Sequence, residues 1–461
     1  MTRQQEPNPW IAEFRALIVL SLPLCLVQAG HHLMGFVDTA LAGRVDAATL
    51  GATGLGSQVF FTVTIIGLGI CMGVDPLVSQ AFGAGKHESA RQTLWQGAYV
   101  GLLASVPLMA VILLLAFNLE RFGVEPTLAT QTRFYIYGRL PSIVPMLAGV
   151  ALRSYLQAAH VVRPIVWAVV VTNIFNFLAD YLLLFGDEGL LAIGLPAIGL
   201  PSLGVAGLGI ASTIAVVVQL AMMAWALRYV EGHERTTFTP DPPNKQIQLR
   251  IAQIGWPIGL HLVAEVGVFA LVGVLAGGMG PSSVAAHQVA LSLSSMAFSV
   301  CLGLAAATAV QVGRAVGRND PAAMRRAGFC GFAMGGAFMT LSASAMWLAP
   351  GALVGIITSD PQVLVTSTSL LAVAAGFQIV DGLQAVGAGA LRGLGSTRFT
   401  FGANIVGHWL IGVPIGVWLA FEAGQGVIGL WWGLTAGLAS VAVALFRKFQ
   451  ALSRQPVVAV T

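Results

Sequence analysis

Four acids stand inside long apolar runs of this chain: Asp38, Asp180, Glu265 and Asp381. A carboxylate in hydrocarbon costs about 2.5–3.5 kcal/mol or more. No lysine or arginine is expected deep enough to pair with them, Arg139 being placed near a helix end. Each acid therefore needs a proton, a metal cation, a cationic ligand or water. Asp180 has helpers at helical spacing. Asn176 is four residues before it, on the same face, and Asn173 is one turn earlier. Ser212 and Thr213 lie in the next apolar run. Carboxylate, amide and hydroxyl oxygens suit a hard cation such as Na+. They suit a proton equally, since burial disfavours the charged form of a carboxyl. Glu265 and Asp381 form a second acidic set in the other half of the chain. Phe36, Phe298 and Phe377 lie near these acids, and an aromatic face attracts cations. Gln58, His287 and Gln288 are further polar groups inside apolar runs, and Asp360 stands at the outer end of one. His287 reads more readily as a packed histidine than as a proton carrier.

The elements that carry these residues follow from composition. Of 461 residues, 56% are hydrophobic and 9% charged, where a soluble domain holds about 25% charged residues. This excludes a water-soluble domain, a disordered chain and a collagen-like fibre. The apolar runs are far longer than the strands of a membrane barrel, of about ten residues. They match spanning helices of about 20 residues. The reading is an all-α polytopic membrane protein. Twelve spans are predicted, at 14–42, 50–75, 93–118, 129–153, 163–185, 203–228, 248–276, 284–311, 325–349, 362–391, 400–421 and 426–446. Pro23 and Pro257 fall inside spans as kink sites. The N-terminal MTRQQEPNPWIAEFR lacks a signal-peptide cleavage site, so the first span is expected to be retained. Cys25, Cys71, Cys301 and Cys330 all lie in apolar stretches and read as buried thiols, not disulfides.

With the N-terminus in the cytoplasm and the spans alternating, 19 of the 23 Lys and Arg fall on the cytoplasmic side. Only Arg44, Arg121, Arg133 and Arg139 fall outside. The positive-inside rule asks for such a bias. It places both termini in the cytoplasm and accounts for the net charge of +4 without nucleic acid.

The chain also repeats itself. Leu41-Ala42-Gly43 matches Leu275-Ala276-Gly277, and Pro23 matches Pro257, both at a shift of 234. Gly85-Lys86 matches Gly317-Arg318, and Leu152-Arg153 matches Leu391-Arg392, at slightly different shifts. Residues 1–228 and 250–461 are thus read as two six-helix bundles joined by a polar linker, 229–249. Duplicated bundles with polar groups at mid-membrane are a transporter plan. Three rivals are weaker. A flippase for lipid-linked sugars calls for Arg or Lys to hold phosphate, and this chain offers acids. A channel calls for a filter sequence, and none is visible. An enzyme calls for a motif such as HExxH or GxSxG, and neither occurs. No ATP site is visible either, so an ion gradient is the expected energy source.

Several stretches together resemble the multidrug and toxic compound extrusion (MATE) family, NorM branch: MGFVDTALAG (34–43), PLVSQAFGAGK (76–86), VTNIFNFLADYLLLFG (171–186), AAHQVALS (285–292) and FQIVDGLQAVGAGALRG (377–393). The resemblance covers the whole chain. It implies two pseudo-symmetric six-helix bundles forming a V around a central cavity. It implies export of cationic and amphipathic drugs in antiport with Na+ or H+, from a bacterial inner membrane, with no cofactor. A monomer is expected. It implies a first cation site at Asp38, Asn176, Asp180 and one of Ser212 and Thr213, and a second at Glu265 and Asp381. Na+, if it is the coupling ion, is expected at Asp38, Asn176, Asp180, Glu265 and Asp381. Drug contacts are implied for Phe36, Gln58, Gln288, Phe298, Asp360 and Phe377. Some family members carry tyrosine where this chain has Phe298 or Phe377, and some NorM members carry asparagine where it has Asp180.

Overall fold

Long apolar runs leave the backbone no partner but itself, so each closes its hydrogen bonds within one helix. The computed structural model describes residues 8–230, 239–456 and 459. Arg3, Arg235 and linker residues 231–238 lie outside the described residues. Among the described residues there are twelve helices long and apolar enough to cross a membrane. They are α1 (Pro9–Ala42), α2 (Ala47–Gly83), α3 (His87–Phe117), α4 (Pro126–Ala158), α5 (Arg163–Ala192) and α6 (Gly204–Tyr229), then α7 (Lys245–Gly278), α8 (Pro281–Gly317), α9 (Pro321–Leu348), α10 (Pro361–Gly393), α11 (Thr397–Glu422) and α12 (Gly426–Leu452). The predicted spans are all present. They were drawn short mainly at the ends, where polar residues continue the helix: α2 runs on through Asp75 to Gly83.

Local chemistry sets several helix starts. Asp46 accepts from the Thr49 amide at 2.6 Å, which holds its carboxyl below the ordinary aspartate range. That cap is at full strength near neutral pH and is lost as pH falls through the acid range. Glu125-Pro126, Asp320-Pro321 and Asp360-Pro361 each place a capping acid before a proline at the first helical position. In α5, Gly186 has φ +59°, and a Cβ there would lie 2.5 Å from the Ser202 nitrogen. Only glycine fits. Asp187 then gathers the amides of Ile198, Gly199 and Leu200 at 2.9–3.1 Å. The tail of the linker is tied to α3: Arg91 pairs with Asp241 at 2.8 Å, and Gln96 bonds the Pro242 carbonyl and the Asn244 amide.

The chain divides into two compact units, 1–28 with 75–86 and 260–461, and 29–74 with 87–259. Three of the four boundaries fall within α1, α2 and α7, a few residues beyond Pro23 in α1 and Pro257 in α7, and the fourth lies between α2 and α3. Each unit has its own core. In the second, Phe60, Tyr135, Ile143, Leu147 and Leu208 pack together. In the first, Val268, Leu370, Phe377, Trp431 and Leu438 do so. Trp167, Val274 and Trp347 stay exposed as surface suited to lipid.

The repeat reappears as paired close approaches of backbone. A Cβ on Gly69 would strike Gly259, and one on Gly303 would lie 2.5 Å from the Cys25 nitrogen. These are the same two positions moved by 234. Likewise Gly83 abuts Arg314 and Gly317 abuts Gln80. Without a hydrophobic drive between helices in lipid, small residues that let backbones approach supply the attraction. All four cysteines are free, and three are buried.

Two glycines of α2 give a test. Gly54 has open space around its Cβ position, whereas Gly69 faces backbone. Gly54→Ala is expected to stabilise by about 0.5–1 kcal/mol through helix propensity. Gly69→Ala is expected to destabilise by about 1–3 kcal/mol through overpacking. Thermal unfolding in detergent should move the melting temperature in opposite directions.

Candidate functional site

One buried polar cluster lies in each compact unit. The first is built by α1, α2, α4, α5 and α6. Asp38, Asn176, Asp180 and Ser212 are all buried. Ser212 donates its hydroxyl to Asp38 Oδ2 at 3.3 Å. Thr213 turns away and donates to the Gly138 carbonyl of α4 at 2.7 Å, so Ser212 is the hydroxyl of the cluster. Asn173 bonds the carbonyl one turn back, on Val169.

The structure corrects one expectation here. Arg139 reaches the cluster: its Nη1 lies 3.9 Å from Asp38 Oδ2. It also donates to the Tyr135 hydroxyl, lies 3.5 Å from Ser57 Oγ and sits 4.8 Å above the Phe60 ring. Tyr135 and Ser57 share a hydrogen bond of 2.8 Å. Arg139 is not at an end of its span. It stands midway in α4, where Leu140–Ser142 tighten into a 3-10 turn at Pro141. The positive-inside count sets it on the outer side, near a helix end. Its depth in the run 126–158 was the signal that would have found it.

Even so, the cluster keeps atoms without a partner. Asp38 Oδ1, both oxygens of Asp180 and both side-chain polar atoms of Asn176 have no hydrogen bond of good geometry. Asp38, Asp180 and Arg139 are close enough for their charges to act on one another. Each unsatisfied buried polar atom costs about 1–3 kcal/mol.

The second cluster joins α7, α10 and α11. His261 Nε2 lies 3.3 Å from Glu265 Oε2, one turn away on α7. Asp381 on α10 is buried and within reach of the Glu265 charge. Gln384 also approaches Glu265, as does His408 on α11. Around His408 the helix is wound as a π-helix, Ile405–Gly412. Such segments are frequent at functional sites. The side-chain polar atoms of Asn404 and both ring nitrogens of His408 lack partners. Trp409 locks α11 onto α7 by donating to the Ala264 carbonyl at 3.1 Å. Sequence reading named Glu265 and Asp381 but missed His261, Gln384, Asn404 and His408. The i,i+4 spacing of His261 and Glu265 was legible; the approach of α11 was not. Among the described residues no three His, Cys, Asp or Glu side chains form a metal-holding group.

The remaining expected residues have other partners. Phe36 is exposed and lines a groove with Phe177, Tyr181 and Phe185. Gln58 is exposed and bonds Thr62; Gln288 is exposed on α8. Phe298 packs against Cys301 and Met339. Phe377 is buried, edge-on to Phe269 and Trp431. Asp360 caps α10, accepting from the Gln362 and Val363 amides. His287 is a packed histidine whose Nδ1 accepts from Trp431 Nε1 at 3.2 Å.

A duplicated bundle of membrane-length helices with a buried acidic cluster in each unit defines a membrane transporter, not an enzyme. The MatE family model matches residues 23–182 and again 257–418, at the shift of the internal repeat. The chain belongs to the MatE family of transporters. It is 36% identical over 440 residues to the multidrug resistance protein NorM of Burkholderia vietnamiensis, covering 93% of this chain and 92% of that one. It is 33% identical over 452 residues to a probable multidrug resistance protein NorM of Brucella suis biovar 1, covering 95% and 93%. Its fold is that of solved MATE structures. The eukaryotic transporter AtDTX14 superposes with a TM-score of 0.84 at 18% identity, over 98% of this chain and 100% of that one. The Vibrio cholerae transporter VcmN in its bent form gives 0.84 at 18%, over 97% and 98%.

Asp360 offers a test of capping against charge. Asparagine caps as well as aspartate, so Asp360→Asn is expected to leave stability unchanged, while Asp360→Ala costs about 1 kcal/mol. Thermal melts of the two variants check the cap. Ethidium resistance of cells carrying Asp360→Asn then reports whether the charge itself serves export.

Proposed function

We propose that this chain is a secondary active multidrug exporter that antiports organic cations and amphipathic drugs against Na+ or H+ by alternating access. It works as a monomer in a bacterial cytoplasmic membrane, with both termini in the cytoplasm. The observation that carries the reading is the pair of buried acidic clusters, one per compact unit, with carboxylate and amide atoms of the first left without partners. The relatives' names supply the drug-export part of the reading.

Antiport follows from charge. Ionised acids attract a lipophilic cation. A proton or Na+ that reaches the same acids from outside cancels the attraction, and the drug leaves. The two ligands need only favour different conformations for their movements to be coupled. Asp38, Asn176, Asp180 and Ser212 form one coupling site, with Thr213 supporting it by tying α6 to the α4 backbone. Glu265 and Asp381 form the other. Phe36, Gln58, Gln288, Phe298, Asp360 and Phe377 are the proposed substrate-binding set. Phe36, Gln58, Gln288 and Phe298 serve as contacts in this reading, while Phe377 acts from the core and Asp360 through its charge at the α10 start.

Glu265→Gln and Asp381→Asn are each expected to abolish ethidium efflux from proteoliposomes while leaving the amount of folded protein unchanged. Drug resistance at the wild-type level in either variant would overturn the assignment. Wild-type efflux driven separately by a Na+ gradient and by a pH gradient names the coupling ion.

A further inference from the structure

The first cluster holds two acids and one permanent cation. A guanidinium stays protonated under all ordinary conditions. With both carboxyls ionised the cluster carries one net negative charge. One added cation makes it neutral, the state that a low-dielectric interior favours. The acids are not equivalent. Arg139 Nη1 and the Ser212 hydroxyl both approach Asp38 Oδ2. Asp180, a fully buried residue, lies beside Asp38 and Asn176, but neither of its oxygens makes a hydrogen bond of good geometry. Arg139 is itself held in place, by Tyr135 one turn back, by Ser57 on α2 and by the Phe60 ring. The groups acting on Asp180 are Asp38 from α1, Arg139 from α4 and Asn176 from its own helix; Ser212 from α6 and Tyr135 from α4 meet Asp38 and Arg139 instead. His31, nearly two turns from Asp38 on α1, is engaged by Gln219 at 3.2 Å.

We propose that Arg139 is a tethered counter-ion that keeps Asp38 paired, so that Asp180 is the carboxyl that takes up and releases the coupling cation. The proposal rests on the reading of this cluster as a coupling site. It makes Arg139 a positioning and charge-setting residue, and of the two acids it assigns the exchangeable cation to the one on α5. It also yields a charge rule. Removing Asp180 alone leaves Asp38 and Arg139 as a neutral pair with no use for a cation. Removing Arg139 alone leaves two negative charges, and the attraction for a cation rises about a hundredfold for a charge lost at roughly 5 Å. The cation is then held too tightly to exchange. Removing both restores a single carboxylate and a one-cation site.

The experiment compares full-length wild type, Asp180→Asn, Arg139→Gln and the double variant, each checked for folding by monodisperse elution. Gradient-driven ethidium efflux from proteoliposomes is expected to fall about tenfold or more in each single variant. It is expected to return to within about threefold of wild type in the double variant, a strongly non-additive result. Infrared titration in sodium-free buffer is expected to lose one protonated-carboxyl component in Asp180→Asn and to regain one in the double variant. A folded double variant no better than Asp180→Asn, or a carboxyl component unchanged in Asp180→Asn, overturns the proposal. Should the double variant fail to fold, Asp38→Asn with Arg139→Gln carries the same charge, and the same rescue over Asp38→Asn alone is required. The infrared measurement needs no transport. A wild type that exports nothing under either gradient would overturn the antiport reading, and the infrared result would still decide the role of Arg139.

Discussion

A carboxylate inside a membrane must be neutralised, and the rest of this structure follows from how that is done. Desolvation makes an isolated charge untenable, and its partner has to come from another helix, from a proton or from a ligand. In the first cluster the partner is partly internal: the Arg139 guanidinium approaches Asp38 to 3.9 Å, and Asp180 forms no ion pair of its own. In the second cluster an imidazole faces a carboxylate, His261 against Glu265, with Asp381 close by. Each arrangement is incomplete in a way that a mobile cation can complete. That incompleteness is what the proposed coupling rests on.

The scaffold serves this by holding helices rigidly around the acids. Helix contact in lipid gains little from hydrophobicity, so it depends on close backbone approach. Gly69 against Gly259 and Gly303 against Cys25 are such approaches, at positions related by the internal repeat. The same repeat carries different polar equipment in its two copies. Glu265 stands where the first half has His31, and Val272 where it has Asp38. Duplication thus supplied one packing solution and two chemically distinct acidic clusters.

Polar groups outside the clusters serve the frame. Asp360 and Asp320 cap helices, and Asp187 gathers three loop amides. Asp75 pairs with Arg392 at 3.1 Å, and His287 is satisfied by Trp431. An acid at a helix start is answered by backbone amides, whereas an acid at mid-helix finds those amides already bonded. This difference separates Asp360 from Asp180.

Much was legible in the sequence because a bilayer imposes length and depth on the chain. Apolar runs of spanning length revealed twelve helices, the shift of 234 revealed the duplication, and a charge in an apolar run marked Asp38, Asp180, Glu265 and Asp381. Asn176 followed from i,i+4 spacing. Tertiary structure decided what spacing along one helix cannot express. It chose Ser212 over Thr213, because helix rotation aims one hydroxyl at Asp38 and the other at α4. It brought Arg139 to Asp38 and His408 toward Glu265 across helices far apart in sequence. It set Phe377 in a core, edge-on to Phe269 and Trp431, where the resemblance implies a drug contact. Periodicity reports a residue's depth and its face on one helix; which neighbour meets that face depends on the packing of all the helices around it.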